Sequence, residues 1–247
     1  MEKDELIKRA EDLSASCERS GCVTHTGFLT PAESYRLACW QRQTGTPMVF
    51  SGGCDGCERT AAFFLPDYME AEYFDPSEYV KAICLTAHFG MPGHRDYMGA
   101  LLAMGIGREW LGDIWVQDST AFVFCMPSVL RHLLSIDKVG HCGVSAQEVA
   151  LDAVPAPKRE VKSVSFSVMS PRLDAVTGGM FSLSRTESAK QIAAGSVTVN
   201  YEPCVKTDLP VREGDIISLR GAGKGKVTGT GGTSRKGRLF VYAEIYK

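Results

Sequence analysis

Between residues 155 and 160 the chain reads Pro155-Ala156-Pro157-Lys158-Arg159-Glu160, and this run limits the fold more than any other feature. Prolines break hydrogen-bonded ladders and turns of helix, and three consecutive charges offer nothing to a core. The run reads as a linker, so the chain must divide there. Its 247 residues suffice for two or three domains of the usual size, about 100–150 residues each. Charge divides with it: residues 163–247 carry 12 Lys and Arg against 7 Asp and Glu, while residues 1–162 carry 15 against 22. A basic end on an acidic body implies that a polyanionic partner, such as a nucleic acid, meets the C-terminal part.

With 44% hydrophobic and 23% charged residues the whole chain is expected to fold. Its first thirteen residues mix acids and bases with Leu6, Ile7, Ala10 and Leu13 at helical spacing. They lack the apolar core of a secretory signal. No later run approaches the roughly 20 apolar residues of a membrane span. A cytoplasmic protein away from membranes is expected, its nine cysteines mostly reduced.

Hydrophobic periodicity gives the elements. Residues 1–75 read as a small α/β domain: a helix, a loop through Phe28-Leu29-Thr30-Pro31, a helix from Ala32 to Gln43, and strands at Thr46–Phe50 and Thr60–Leu65. Residues 76–154 read as strand Val80–Ala87, helix His94–Ile106, strands Gly112–Gln117 and Ala121–Met126, helix Val129–Ile136 behind Pro127, and strand Lys138–Val144. That order, β-α-β-β-α-β, is the ferredoxin-like arrangement that RNA-recognition (RRM-like) domains also use. Residues 155–169 form the linker and a leading strand, in which Val164, Phe166 and Val168 alternate. The fold class expected is α+β, with a third domain over residues 170–247.

In that last stretch Arg172-Leu173-Asp174 opens a helix. Ser184 and Glu187, three apart, have the spacing of a capping box before a second helix at Arg185. A helix start with an arginine beside it suits a phosphate. Gly195 stops the helix, and Val197-Thr198-Val199-Asn200 follows as a strand. Together, Arg-Leu-Asp, Ser-Arg, Ala-x-x-Ile-x-x-Gly-x-Val-x-Val-Asn, and Glu213-Gly214-Asp215 with Ile217 resemble the S-four (αL-type) RNA-binding domain over residues 171–220. The resemblance implies that Arg172, Arg185, Thr186, Lys190, Gln191 and Asn200 lie against structured RNA. Leu173, Asp174 and Ser184 complete the motif. Lys206, Arg220, Lys224 and Lys226 extend the expected RNA-binding set into the basic, Gly-rich tail, with Arg235, Lys236 and Arg238 beyond. A solvated hairpin is the plainer reading of that tail. Basic residues of this kind hold phosphates and position a protein without reading sequence.

Upstream, His94-Arg95-Asp96, Gly99-Ala100-Leu101-Leu102, Gly105-Ile106, Arg108-Glu109 and Gly112-Asp113-Ile114 resemble the middle domain of the YlmH-like bacterial family, and Phe50, Gly52, Gly53, Glu58 and Arg59 its first domain. The similarity spans almost the whole chain. It implies a non-enzymatic, ribosome-associated factor that binds the large subunit through rRNA and tRNA, recognising peptidyl-tRNA after a stall in nascent-chain quality control. Some members sit among cell-division genes. Cys54 and Cys57 depart from the family pattern.

Other motifs carry less. Cys54-x-x-Cys57 has zinc-ligand spacing, and Cys17, Cys22 and His25 could complete a set, but no second close pair exists; no metal is expected. His94-Arg95-Asp96 has the letters of a kinase catalytic triplet without its companions, so the charges read as a helix start. Arg172-Leu173-Asp174-x-x-Thr177-x-Gly179 is similar to the catalytic stretch of pseudouridine synthases, yet fewer than eighty residues follow Asp174. Phe122 and Phe124 share a strand face where bases could stack, although core is the commoner role. Gly221-x-Gly223-x-Gly225 reads as a flexible turn. The reading is a monomeric RNA-binding factor with no cofactor and no catalytic residue; the rivals are an RNA-modifying enzyme and a cell-division adaptor.

Overall fold

A computed structural model describes residues 2–157, 161–234 and 237–246, with only the backbone for residues 2–4. The chain forms two compact units, Met1–Pro157 and Lys158–Lys247.

The first unit opens with α1 (Glu2–Ser20), β1 (Thr24–His25), α2 (Pro31–Thr44), β2 (Met48–Ser51) and β3 (Ala61–Phe64). Thr30 starts α2 through a full capping box with Glu33, and Gly45, at φ 72°, ends it in the left-handed conformation that glycine tolerates best. The strands form an antiparallel sheet in the order β1-β3-β2. Strand β3 is buried on both faces. Ala62 and Phe64 pack with Ala10, Cys17 and Leu37 of the helices, whereas Ala61 and Phe63 turn the other way.

What lies on that other side is the second sheet of the unit. It is built from β4 (Lys81–Ala87), α3 (His94–Ala103), β5 (Leu111–Gln117), β6 (Thr120–Cys125), α4 (Pro127–Leu133), β7 (Lys138–Val139) and β8 (Cys142–Val149). The strands are antiparallel in the order β5-β6-β4-β8-β7. Helices α3 and α4 cover one face with Tyr97, Leu101 and Leu133 against Ile83, Leu85 and Val123. The opposite face places Ala82, Phe124 and Met126 in one core with Phe28, Ala61 and Phe63.

Residues 1–75 and 76–154, expected as separate domains, thus share a core. Arg59 and Asp113 fix the joint: Arg59 donates to the carbonyls of Phe28, Arg108 and Leu111, and Asp113 accepts from the backbone of Glu58 and Arg59. Two other expectations change. The long fourth strand is Cys142–Val149 rather than Lys138–Val144, because Gly140, at φ 58°, reverses the chain after a two-residue strand. Helix α3 ends at Ala103 rather than Ile106, where Gly105 takes φ 79°.

The second unit begins with β9 (Val161–Val168), α5 (Leu173–Phe181) and α6 (Arg185–Ala193), then β10 (Val197–Val199), β11 (Glu202–Pro203), β12 (Ile216–Leu219), β13 (Gly223–Thr233) and β14 (Leu239–Tyr246). Its six-stranded antiparallel sheet runs β11-β10-β12-β13-β14-β9. Helices α5 and α6 lie on one face, with Leu173, Val176, Met180 and Ile192 over Ile217, Val227, Val241 and Ala243. Close approach explains two glycines. A Cβ at Gly179 would run into the Phe166 ring, and one at Gly225 would stand 2.8 Å from the Glu244 carbonyl. Gly223 and Gly225 are therefore strand residues rather than part of a flexible turn, the turn itself lying at residues 220–222. Among the described residues no helix is long and apolar enough to cross a membrane.

Candidate nucleic-acid interface

The sequence places Asp174 in the first turn of α5, one residue after Leu173, which is fully buried and holds the helix in the core. This depth drags the carboxylate inward until its side chain is only 6% exposed. A buried charge needs partners. Asp174 finds them in two arginines: Oδ2 accepts from Arg185 Nε at 2.9 Å, and Oδ1 accepts from Arg172 Nε at 3.4 Å and from the Ala175 amide at 2.9 Å. The arginine side chains remain 40% (Arg172) and 65% (Arg185) exposed. Each guanidinium is held by its Nε, the fork of terminal nitrogens being left for an external acceptor.

Arg172 is the N-cap of α5 and Arg185 the first residue of α6, so the clamp ties two helix starts together. The amides of Leu173 and Asp174 donate to the carbonyls of Leu209 and Thr207, which occupies the start of α5. At α6 the Ser184 side chain accepts from the Glu187 amide, but the return half of the expected capping box is missing. Glu187 instead accepts from Gln191 one turn along. Thr186 and Lys190 are exposed on α6, and Lys206 and Arg220 are exposed in loops.

Four members of the expected set, Leu173, Asn200, Lys224 and Lys226, lie elsewhere. Leu173 is core. Asn200 is buried, donating to Asp215 and accepting from the Ile216 amide, and so holds a turn in which it and Tyr201 both have positive φ. Lys224 sits 5.9 Å from the Tyr201 ring and 5.7 Å from that of Tyr246. Lys224 and Lys226 alternate along β13 with Gly225 and Val227, which face the helices, so both lysines occupy the opposite face of the sheet. The set thus splits into a helix side and a sheet side.

Beside the clamp is a cleft of about 260 Å³, walled by Phe166, Val168 and Leu183 and bordered by Asp174, Arg185 and Arg238. Arg238 is the residue here that the motif does not include, since it belongs to the hairpin before β14. Its membership in the basic tail was the available signal. Arg235 and Lys236 lie outside the described residues.

The first unit has a different character. One cleft there, of about 1040 Å³, carries Asp55, Asp75, Glu148 and Asp152 against Lys81, with Trp115 in the wall. Phe124 is fully buried, in edge contact with Trp115 at 4.8 Å between centroids; Phe122 is half-buried. Asp96 accepts from the Gly93 amide, so the His94-Arg95-Asp96 triplet starts a helix. The Cys54 thiol donates to the Leu151 carbonyl and Cys57 to that of Gly52; burial raises the Cys54 pKa and keeps it protonated.

Comparison with known proteins agrees with this architecture. Residues 79–153 match the family described as "Putative RNA-binding domain in YlmH". The chain is 29% identical over 223 residues to the ribosome-associated protein quality control protein P2 of Bacillus subtilis, the match covering 90% of this chain and 87% of that protein. The structure of cell division protein ylmH from Streptococcus pneumoniae, 19% identical, matches with a TM-score of 0.54 over 63% of this chain and 96% of that one, a likeness of fold. With that likeness of fold, and a relative aligned along nearly its whole length, the chain is similar to the YlmH-like family.

Proposed function

We propose that this protein is a non-enzymatic RNA-binding factor of the large ribosomal subunit that recognises peptidyl-tRNA in ribosome-associated quality control. Its second unit acts as an S-four domain, and the ferredoxin-like part of its first unit is a second contact region. The observation that carries this reading is the Asp174 clamp. A carboxylate 6% exposed holds two arginines whose ends face solvent, an arrangement suited to adjacent phosphates of a folded RNA. Arg172, Arg185, Thr186 and Lys190 form the contact surface, with Gln191 bracing α6 and with Lys206 and Arg220 contributing longer-range attraction. The name of the Bacillus subtilis relative supports the quality-control setting. In this reading Asp174 is a clamp rather than a nucleophile, because both its oxygens are engaged.

The test is co-sedimentation of the purified protein with isolated large subunits, with and without peptidyl-tRNA, over a salt series. Binding is expected to favour the peptidyl-tRNA complex, to weaken with salt, and to fall about tenfold in Arg185→Ala, the scale of one charge-assisted hydrogen bond. Binding indifferent to Arg185 would sink the proposal. A protein partner, as in a cell-division adaptor, is the second reading. It is favoured by the acid-rimmed cleft of the first unit, which suits a basic peptide, and predicts a complex that survives nuclease.

A further inference from the structure

The clamp accounts for phosphate contacts, but not for the cleft beside it. A phosphate needs donors and water, not apolar walls. Here Phe166, Val168 and Leu183 enclose about 260 Å³, and Met169, 73% exposed, stands at the mouth. That volume is below the range of about 300–1,000 Å³ usual for sites that swallow a drug-sized ligand. It suits a single flat ring system with its substituents outside.

The rest of the lining has the polarity of such a ring. Gly178 and Gly179 bring bare α5 backbone into the wall, and Ala175 adds only a methyl group. Asp174 lies on the polar side. An ionised carboxylate has about four lone-pair positions, of which Arg172, Arg185 and the Ala175 amide take three. One position on Oδ2 is left to accept a hydrogen from the edge of a bound ring. Arg185 and Arg238 flank the cleft with positive charge.

We propose that this cleft receives one unstacked RNA base, with the phosphates on either side of it held by Arg185 and Arg238. The inference rests on the RNA-binding reading above and deepens it. The second unit would then contact more than the backbone, since a base can enter only where the RNA is single-stranded, in a loop or a bulge. Aliphatic and aromatic side chains supply the ring's faces, as in other single-strand binding sites. The glycines let Phe166 and Leu183 close in against α5 and so shape the wall. Any side chain at Gly179 would meet Phe166, and a Cβ at Gly178 would stand 3.1 Å from the Leu183 carbonyl.

The experiment is an amide NMR titration of the full chain with adenosine, guanosine, cytidine and uridine 5′-monophosphates, against ribose 5-phosphate. At least one nucleotide is expected to shift the amides of Ala175, Gly178 and Gly179 saturably, whereas ribose 5-phosphate shifts only the neighbourhood of Arg185. Ala175→Leu, which fills the cleft and leaves both arginines, should abolish the base-dependent shifts and lower large-subunit affinity about tenfold. Arg238→Ala, an exposed substitution, should weaken the nucleotide severalfold and carries the test if Ala175→Leu fails to fold. Identical shifts with and without a base, or a wild-type titration by the variant in use, would overturn the pocket. If wild-type sedimentation still depends on Arg185 in that case, the RNA-binding reading stands without it; base-dependent shifts in a protein that ignores large subunits would leave the pocket and remove the ribosome.

Discussion

The acidic cleft of the first unit and the arginine cleft of the second differ in more than size. One sets four carboxylates against a single lysine in about 1040 Å³. The other sets two arginines against one carboxylate in about 260 Å³, and that carboxylate is itself neutralised by arginines. The family match that mentions RNA lies over residues 79–153, in the acidic unit. Its sheet face, where bases would stack in an RNA-recognition domain, is partly taken up: Phe124 is in a core with Phe28 and Phe63, and a Cβ at Gly53 would stand 3.1 Å from the Phe124 ring. A base stacking there would have to displace the first sheet. On the proposed reading, phosphate attraction is concentrated in the second unit, and RNA contacts by the first would use loops or edges away from the acidic cleft.

The largest effect should come from removing the arginines. Replacing both Arg172 and Arg185 by alanine is expected to lower affinity for large subunits about 100-fold, two charge-assisted contacts of roughly 1.5–3 kcal/mol each with some overlap. Asp174→Asn makes the sharper comparison. It raises the positive charge of the unit by one, so a purely Coulombic surface would bind RNA more tightly. If the clamp positions the arginines, affinity falls instead, by about tenfold, with about 2 kcal/mol of stability lost from the broken ion pairs. Tighter binding by Asp174→Asn would show that geometry is irrelevant there.

Next is the joint inside the first unit. Asp113→Ala removes the acceptor of two backbone amides and should cost about 2–3 kcal/mol in chemical denaturation. The second unit has its own core, so Arg185-dependent binding to large subunits should be unchanged in buffer without denaturant. A parallel loss of binding would mean that the acidic unit supplies essential RNA contacts.

A milder change tests the charge contrast. Asp55→Lys with Asp152→Lys should raise affinity for large subunits by about twofold to threefold at low salt, through reduced repulsion of the polyanion. The gain should vanish as the Debye length shrinks to about 8 Å at physiological ionic strength. An increase that persists in salt would indicate that this cleft lies directly against RNA.

Much of this was legible in the sequence because local signals and tertiary structure agree. The α6 start at Ser184 and the alternation of Val164, Phe166 and Val168 both depend on neighbours a few residues away. The shared core of residues 1–154 was not legible. Phe63 and Phe124 are apolar residues on strands and Phe28 lies in the loop before α2, and their apolar character says only that they face a core, not whose. The Asp174 clamp was half visible. Arg172 stands two residues away in the sequence, in the run read as a helix start, while Arg185, eleven residues on, arrives only through the packing of α5 on α6. Asn200, which the resemblance implies lies against RNA, is buried, and its amide closes a positive-φ turn with Asp215.

The smallest expected effect concerns the two lysines of β13. Charge counting alone assigns Lys224 and Lys226 to the RNA surface with the same weight as Arg185. Their place in the sheet argues otherwise. Both project from the face opposite α5 and α6; Lys226 stands across from Glu244, and Lys224 is packed near two tyrosine rings. An RNA seated on Arg172 and Arg185 would be separated from them by the thickness of the unit, of the order of a Debye length. The double substitution to alanine should thus change large-subunit affinity by less than about twofold and leave the salt slope as it is. Arg185→Ala should reduce that slope by about one, the signature of a lost phosphate contact. Equal slopes lost from both variants would place RNA on both faces of the sheet, and the contrast between the two sides of the second unit would fall.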